Sequence, residues 1–254
     1  MRAISALAAA AALFATTASA VPVAVDLSGW TSEGAGTWTV QTGNDSVLQT
    51  QNGSPTVFYS AGNSQGLALA GQITVQTTSD DDFIGFVLGY HAGDLSNASA
   101  DFLLIDWKQL NQGLYSGTGT AGLAISRVTG VLGDNSGAWW HDPTNNVNEI
   151  QRAATLGATG WADNTTYDFE LVFQPTVAQV YVNGALELNI TAADAGVTSF
   201  NNGAFGFYNY SQPNVLYAGI TEETAPPLGD VPLPAGALLL PAALLGLGAL
   251  RRRA

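Results

Sequence analysis

The chain contains no cysteine and only two histidines, His91 and His141. A disulfide framework, thiolate zinc sites and cysteine nucleophiles are therefore excluded, and a multi-histidine metal centre lacks ligands. Basic residues are nearly as scarce, seven in 254 against twenty acids. Arg2 and Arg251 to Arg253 sit at the ends, so only Lys108, Arg127 and Arg152 remain in between, a balance of about −17. Such a surface repels phosphate backbones and argues against nucleic acid as a partner. It attracts cations, and calcium is the natural counterion outside a cell. Long amphipathic helical patterns are missing between Val21 and Thr224. So are Glu-x-Asp-x-x-Glu, His-Glu-x-x-His and a phosphate loop, which leaves no catalytic spacing to favour an enzyme.

The two ends carry what the middle lacks. Met1 to Ala20 opens on Arg2, continues through an uncharged stretch and closes on Ala18-Ser19-Ala20, the pattern of a cleavable secretory signal. The mature chain is expected to begin near Val21. Residues 224–230, with Pro226 and Pro227, read as a linker. From Val231 to Leu250 there is no charge, and twenty helical residues would cross roughly 30 Å of bilayer core. Arg251, Arg252 and Arg253 would then stay on the cytoplasmic side. The run Val231-Pro232-Leu233-Pro234-Ala235, the apolar stretch and the arginine cluster together resemble the VPLPA variant of PEP-CTERM sorting tails. That resemblance implies a Gram-negative bacterium and transient anchoring in the inner membrane. It also implies cleavage by an exosortase-type protease and delivery to the cell surface or its matrix.

Between the ends, residues 21–223 show short β-rich runs separated by turn residues, as in an all-β sandwich. Strands are predicted at Leu67 to Thr77, Phe83 to Tyr90, Phe102 to Lys108, Leu123 to Thr129, Tyr167 to Gln174, Gly203 to Tyr210 and Val215 to Ile220. In the Tyr167 run, Tyr167, Phe169, Leu171 and Phe173 share a dry face, with Asp168, Glu170 and Gln174 opposite. Asn183-Gly184 marks a hairpin between Val177 to Val182 and Ala185 to Ile190. A strict two-residue turn sets Val180 opposite Glu187. A connection through Ala185 aligns Val182 with Leu186 and Val180 with Leu188, and this second register is favoured. Gly113 to Gly122 and Gly133 to Gly160 read as surface connections.

Asp80-Asp81-Asp82-Phe83-Ile84-Gly85-Phe86-Val87-Leu88-Gly89-Tyr90, Trp107-Lys108-Gln109, Trp140-His141, Gly160-Trp161 with Tyr167, and Gly203 to Ser211 resemble, in order, the C-terminal lectin-like domain of thrombospondins. The resemblance implies a concanavalin-A-like (lectin-like jelly-roll) β-sandwich of two antiparallel sheets, flanked here by the signal and a C-terminal apolar helix. It also implies binding of calcium and of other extracellular molecules. The calcium-binding repeats that precede this domain in animal thrombospondins are absent.

Asp80, Asp81 and Asp82 are the sharpest metal candidate, because three adjacent carboxylates need solvent or a cation, and calcium takes six to eight oxygens. Asp134, Asn135 and Asp142 form a second, weaker candidate, for which the reading as ordinary turn residues is preferred. Trp140 and His141 are candidates for stacking on a sugar ring, with one of Trp139 and Trp140 expected in the core. Lys108 is expected at the solvated surface, with a salt bridge to an aspartate as the other reading. Arg127 and Arg152 are expected to pair with the acidic surface. The function these features point to is an exported, calcium-binding module for adhesion to extracellular polysaccharide or a surface protein. The alternatives are a glycoside hydrolase or lyase on the same fold, or a structural matrix component.

Overall fold

The computed structural model describes residues 21–226. The signal segment 1–20, residues 227–230 and the tail 231–254 with its motif lie outside the described residues. In chain order the strands are β1 (Val23–Ala24), β2 (Thr31–Gly34), β3 (Trp38–Val40), β4 (Val47–Gln49) and β5 (Thr56–Tyr59). Next come β6 (Leu67–Val75), β7 (Phe83–Tyr90), β8 (Phe102–Lys108), a small hairpin of β9 (Gln112–Leu114) and β10 (Gly117–Gly119), and β11 (Gly122–Val128). A short helix, α1 (Ser136–Trp140), precedes β12 (Val147–Arg152), β13 (Thr166–Phe173) and β14 (Val177–Val182). The chain ends in β15 (Ala185–Thr191), β16 (Ala204–Tyr210) and β17 (Val215–Thr224).

Two antiparallel sheets result. One runs β15-β14-β13-β6-β17-β4-β3, with β1 added on β17, and the other runs β12-β11-β8-β7-β16-β5-β2. The chain's last two strands thus lie inside the sheets, β16 between β7 and β5, and β17 between β6 and β4. The dry face foreseen for β13 is where Phe169, Leu171 and Phe173 enter the core between the sheets. There Phe86 of one sheet meets Phe169 of the other, ring centroids 4.6 Å apart, and Phe207 stacks on Tyr217 at 4.3 Å. The fully buried Tyr217 hydroxyl donates to the carbonyl of Tyr208, 2.9 Å away, across the same interface.

The seven-stranded sheet is buried on both faces: every residue of β7, β8 and β16 is buried. Its second face holds Phe83, Val87, Leu104, Tyr208 and Tyr210, and Leu132, Ala138 and Trp139 from the segment 129–146 pack over them. Continuous apolar runs such as Phe83 to Tyr90 belong to strands covered on both sides. The segment 133–160 is therefore not a surface connection throughout. It contains α1, which caps the sheet, and β12, an edge strand whose polar residues Asn148, Glu149, Gln151 and Arg152 mask its strand character.

The hairpin combines features of both predicted registers. Asn183 and Gly184, at φ 50° and 76°, make a two-residue left-handed turn that pairs Val182 with Ala185. A bulge between Val180 and Tyr181 then restores Val180 opposite Leu188, keeping both in the core. Leu186 faces Tyr181 instead of Val182 and stays exposed.

Candidate functional site

The three aspartates lie in the loop that leads into β7, together at one corner of the seven-stranded sheet, with one ligand oxygen from each within 4.8 Å of the others. Asp80 and Asp81 are half-buried, and Asp82 is buried. Lys108, at the end of β8, points into this corner with no exposure at all. Its Nζ donates to Asp82 Oδ1 at 2.5 Å, to the Asp81 carbonyl at 3.2 Å and to Gln112 Oε1 at 3.2 Å. It also sits over the rings of Phe83 and Trp139, 5.0 and 4.8 Å from their centroids. The expectation of a solvated lysine is thus corrected. Lys108 shares the capped face of β8 with Phe102, Leu104 and Asp106, and that cap encloses it. Its ion pair with an aspartate is present, as the other reading held.

One ammonium does not neutralise three carboxylates. Burial, and then the charges of Asp82 and Asp81, raise the Asp80 carboxyl to about 6. Asn52 donates to the same carboxylate, and Thr78, Ser79, Gln109 and Asp163 add oxygens around an open acidic groove of about 500 Å³. Hard oxygen donors carrying uncompensated negative charge fit a divalent cation such as calcium.

The second candidate set is dispersed into local roles. Asp134 accepts from the hydroxyls of Tyr115 at 2.5 Å, Ser54 at 3.0 Å and Tyr210. Burial would raise its carboxyl, but these bonds hold it below its ordinary value. Asn135 caps α1 through the N–H groups of Gly137 and Ala138, and Asp142 caps the next turn through Thr144. Trp139 is core, edge-on to Phe83, while Trp140 is half-buried, and helical rather than strand geometry separates them.

His141 is enclosed, not presented. Its ring bridges Asp106 Oδ2 at 2.9 Å and Glu149 Oε2 at 2.7 Å, and Arg152 clasps the same Glu149. Burial would lower the imidazole pKa, yet the Asp106 charge and the bonds to both carboxylates lift it to about 9. Burial would raise Glu149, and the bonds from His141 and Arg152 bring it down to about 2. Sequence reasoning missed these partners. The available signal was Asp106 and Lys108 two apart on an otherwise apolar strand, which places both on one face. A Gly-x-Ser-x-Gly pattern does occur at Gly62 to Gly66. There Ser64 is buried, its hydroxyl donates to the Gly203 carbonyl at 2.5 Å, and the turn leads into a strand rather than a helix.

A second open groove, about 450 Å³, lies near Asp134 and is lined by Glu33, Ser54, Pro55, Leu95 and Leu132. Glu33 is fixed there by the hydroxyls of Tyr59 at 3.0 Å and Tyr90 at 2.6 Å, and by the Gly93 N–H at 2.8 Å.

Comparison with known proteins agrees with this architecture. Among solved structures, a carbohydrate-binding module from Bacillus subtilis superposes with a TM-score of 0.54 at 12% identity, over 77% of this chain and 95% of that one. A Bacillus subtilis protein of galectin-like fold gives 0.50 at 10% identity, over 78% and 90%. These likenesses establish a lectin-like sandwich. In sequence, human thrombospondin-3 is 30% identical over 198 residues, 72% of this chain and 20% of the relative. Rat cartilage oligomeric matrix protein is 28% identical, over 72% and 25%. The chain spans about a fifth to a quarter of the length of these curated relatives. The model of the thrombospondin C-terminal region matches residues 33–225, and the chain belongs to that family.

Proposed function

We propose that this protein is an exported, calcium-binding module that attaches to extracellular polysaccharide. The observation that carries the reading is the aspartate corner, where three carboxylates cluster and a single buried ammonium pairs with only two of them, Asp81 and Asp82. Asp80 and Asp81 would hold the ion, with Asp82 committed to Lys108 and carbonyl or water oxygens completing the shell. The ion would supply the missing positive charge and tie the loop before β7 to its surroundings. Membership of the thrombospondin C-terminal family supports this reading, and so does the sandwich shared with a carbohydrate-binding module. A binding role is favoured over catalysis because the capped face of the seven-stranded sheet is filled by its own side chains. The segment 1–20 would direct export, and the motif from Val231 to Ala235 would direct sorting by an exosortase-type protease to the surface of a Gram-negative cell.

Calorimetric titration of the mature protein with calcium tests the metal reading. One or more sites should appear, with a rise in melting temperature that magnesium does not reproduce. The double substitution Asp80→Asn/Asp81→Asn should remove both effects. If calcium gives no heat of binding and leaves the melting temperature unchanged, the metal reading fails.

A further inference from the structure

The turn between β9 and β10 is made by Tyr115 and Ser116, both left-handed, at φ 54° and 64°. A two-residue turn of this hand ordinarily uses Asn, Asp or Gly, because a β-carbon at positive φ crowds the neighbouring carbonyl. The backbone therefore disfavours a tyrosine at this position, and strained residues of this kind gather where a side chain must be presented. Tyr115 is 40% exposed, and its hydroxyl is tied to Asp134. Trp140, half-buried, donates from Nε1 to the Tyr115 carbonyl at 3.3 Å. The hairpin lies so close on this indole that a β-carbon at Gly117 would come within 2.4 Å of it. Tyr115 is thus joined through Asp134 to the groove that Asp134 and Glu33 both line, with Trp140 of α1 beside it against the same hairpin.

We propose that Tyr115, Trp140 and Asp134 form a subsite for an uncharged pyranose ring, with the rest of a polysaccharide chain lying along the groove towards Glu33. A pyranose offers a C–H face that stacks on an aromatic ring, and hydroxyls that donate to oriented carboxylates. Charge selects the class of sugar. Each lysine and arginine of the described residues is already paired with a carboxylate: Lys108 with Asp82, Arg127 with Asp101 at 2.7 Å, and Arg152 with Glu149 at 2.9 Å. A uronate or sulfate would meet Glu33 and Asp134 with no cation to offset them. This inference rests on the polysaccharide-binding reading above and adds the place and the sugar class.

The test is affinity electrophoresis of the mature protein through gels containing dextran, mannan, galactan or hydroxyethyl cellulose, with alginate as the anionic polymer. Each gel is run in EDTA and in calcium, at low and high salt. At least one neutral polymer should retard the protein in EDTA, independently of salt. Tyr115→Asn keeps a residue suited to the left-handed turn but removes the ring. It should weaken retardation at least about tenfold while leaving the melting temperature unchanged or higher. Undiminished retardation of Tyr115→Asn overturns the subsite and leaves the polysaccharide reading standing, and a lowered melting temperature with unchanged affinity does the same by making the tyrosine a structural clasp. Retardation by alginate alone in calcium overturns the uncharged class, and retardation lost at high salt points to a basic partner and overturns it too. No retardation by any polymer overturns both the subsite and the polysaccharide reading.

Discussion

An ammonium group without access to water persists only where oxygen atoms and ring faces replace its hydration, as they do around Lys108. His141 follows the same rule, held protonated between Asp106 and Glu149. Removing one partner of such a buried set leaves a bare charge. His141→Gln should therefore destabilise the domain by about 3–5 kcal/mol in urea denaturation, and Asp106→Asn in the same chain should restore much of the loss. The pH dependence has a definite sign. His141 has a folded pKa near 9 against an ordinary 6.5, so its contribution is complete below about pH 6.5 and is lost as pH rises through 9. Glu149, lowered to about 2, keeps its contribution above about pH 4.5 and loses it as pH falls towards 2. A melting profile should accordingly decline between pH 6.5 and 9 in the parent protein, and that decline should be missing from His141→Gln. An identical alkaline limb in both proteins would contradict the assignment.

At the scale of elements, what could be read from sequence depended on whether local pattern and tertiary role coincide. β13 alternates, and its dry face was legible. β7 and β8 are apolar on both faces, so their existence could be read but not what covers the second face, because the covering segment 129–146 is rich in turn residues. β12 was hidden by its edge position and polar residues. The aspartate triad was found from adjacency alone, whereas Tyr115, Asp134 and Tyr210 are joined only by the fold. The Asn183-Gly184 hairpin was legible as a turn, but its bulge depends on burying both Val180 and Leu188. Gly184 has open space around it and a φ of 76°, so Gly184→Ala meets only the backbone cost. It should destabilise by about 1–2 kcal/mol and speed amide exchange in β14 and β15, leaving the other sheet's protection unchanged.

Over the whole molecule, three basic and nineteen acidic side chains fall within residues 21–226, and every base is paired with a carboxylate. The exterior is therefore anionic almost throughout, and self-repulsion works against the compact state. Raising ionic strength from about 0.01 M to about 0.15 M shortens the screening length from roughly 30 Å to roughly 8 Å, which should raise the melting temperature by a few degrees even without calcium. A fall with salt would mean that exposed ion pairs dominate. The strand order carries a further consequence. β5 and β2 reach the rest of their sheet only through β16, and β4 and β3 reach theirs only through β17, the last strand of the domain. One sheet therefore cannot be completed before β16, at Ala204–Tyr210, is available, and the other not before β17, at Val215–Thr224, so a chain that ends short of residue 204 lacks the joining strand of both. If the chain is exported as proposed, closure of both sheets waits for its last strands and so falls after most of the domain has crossed the membrane.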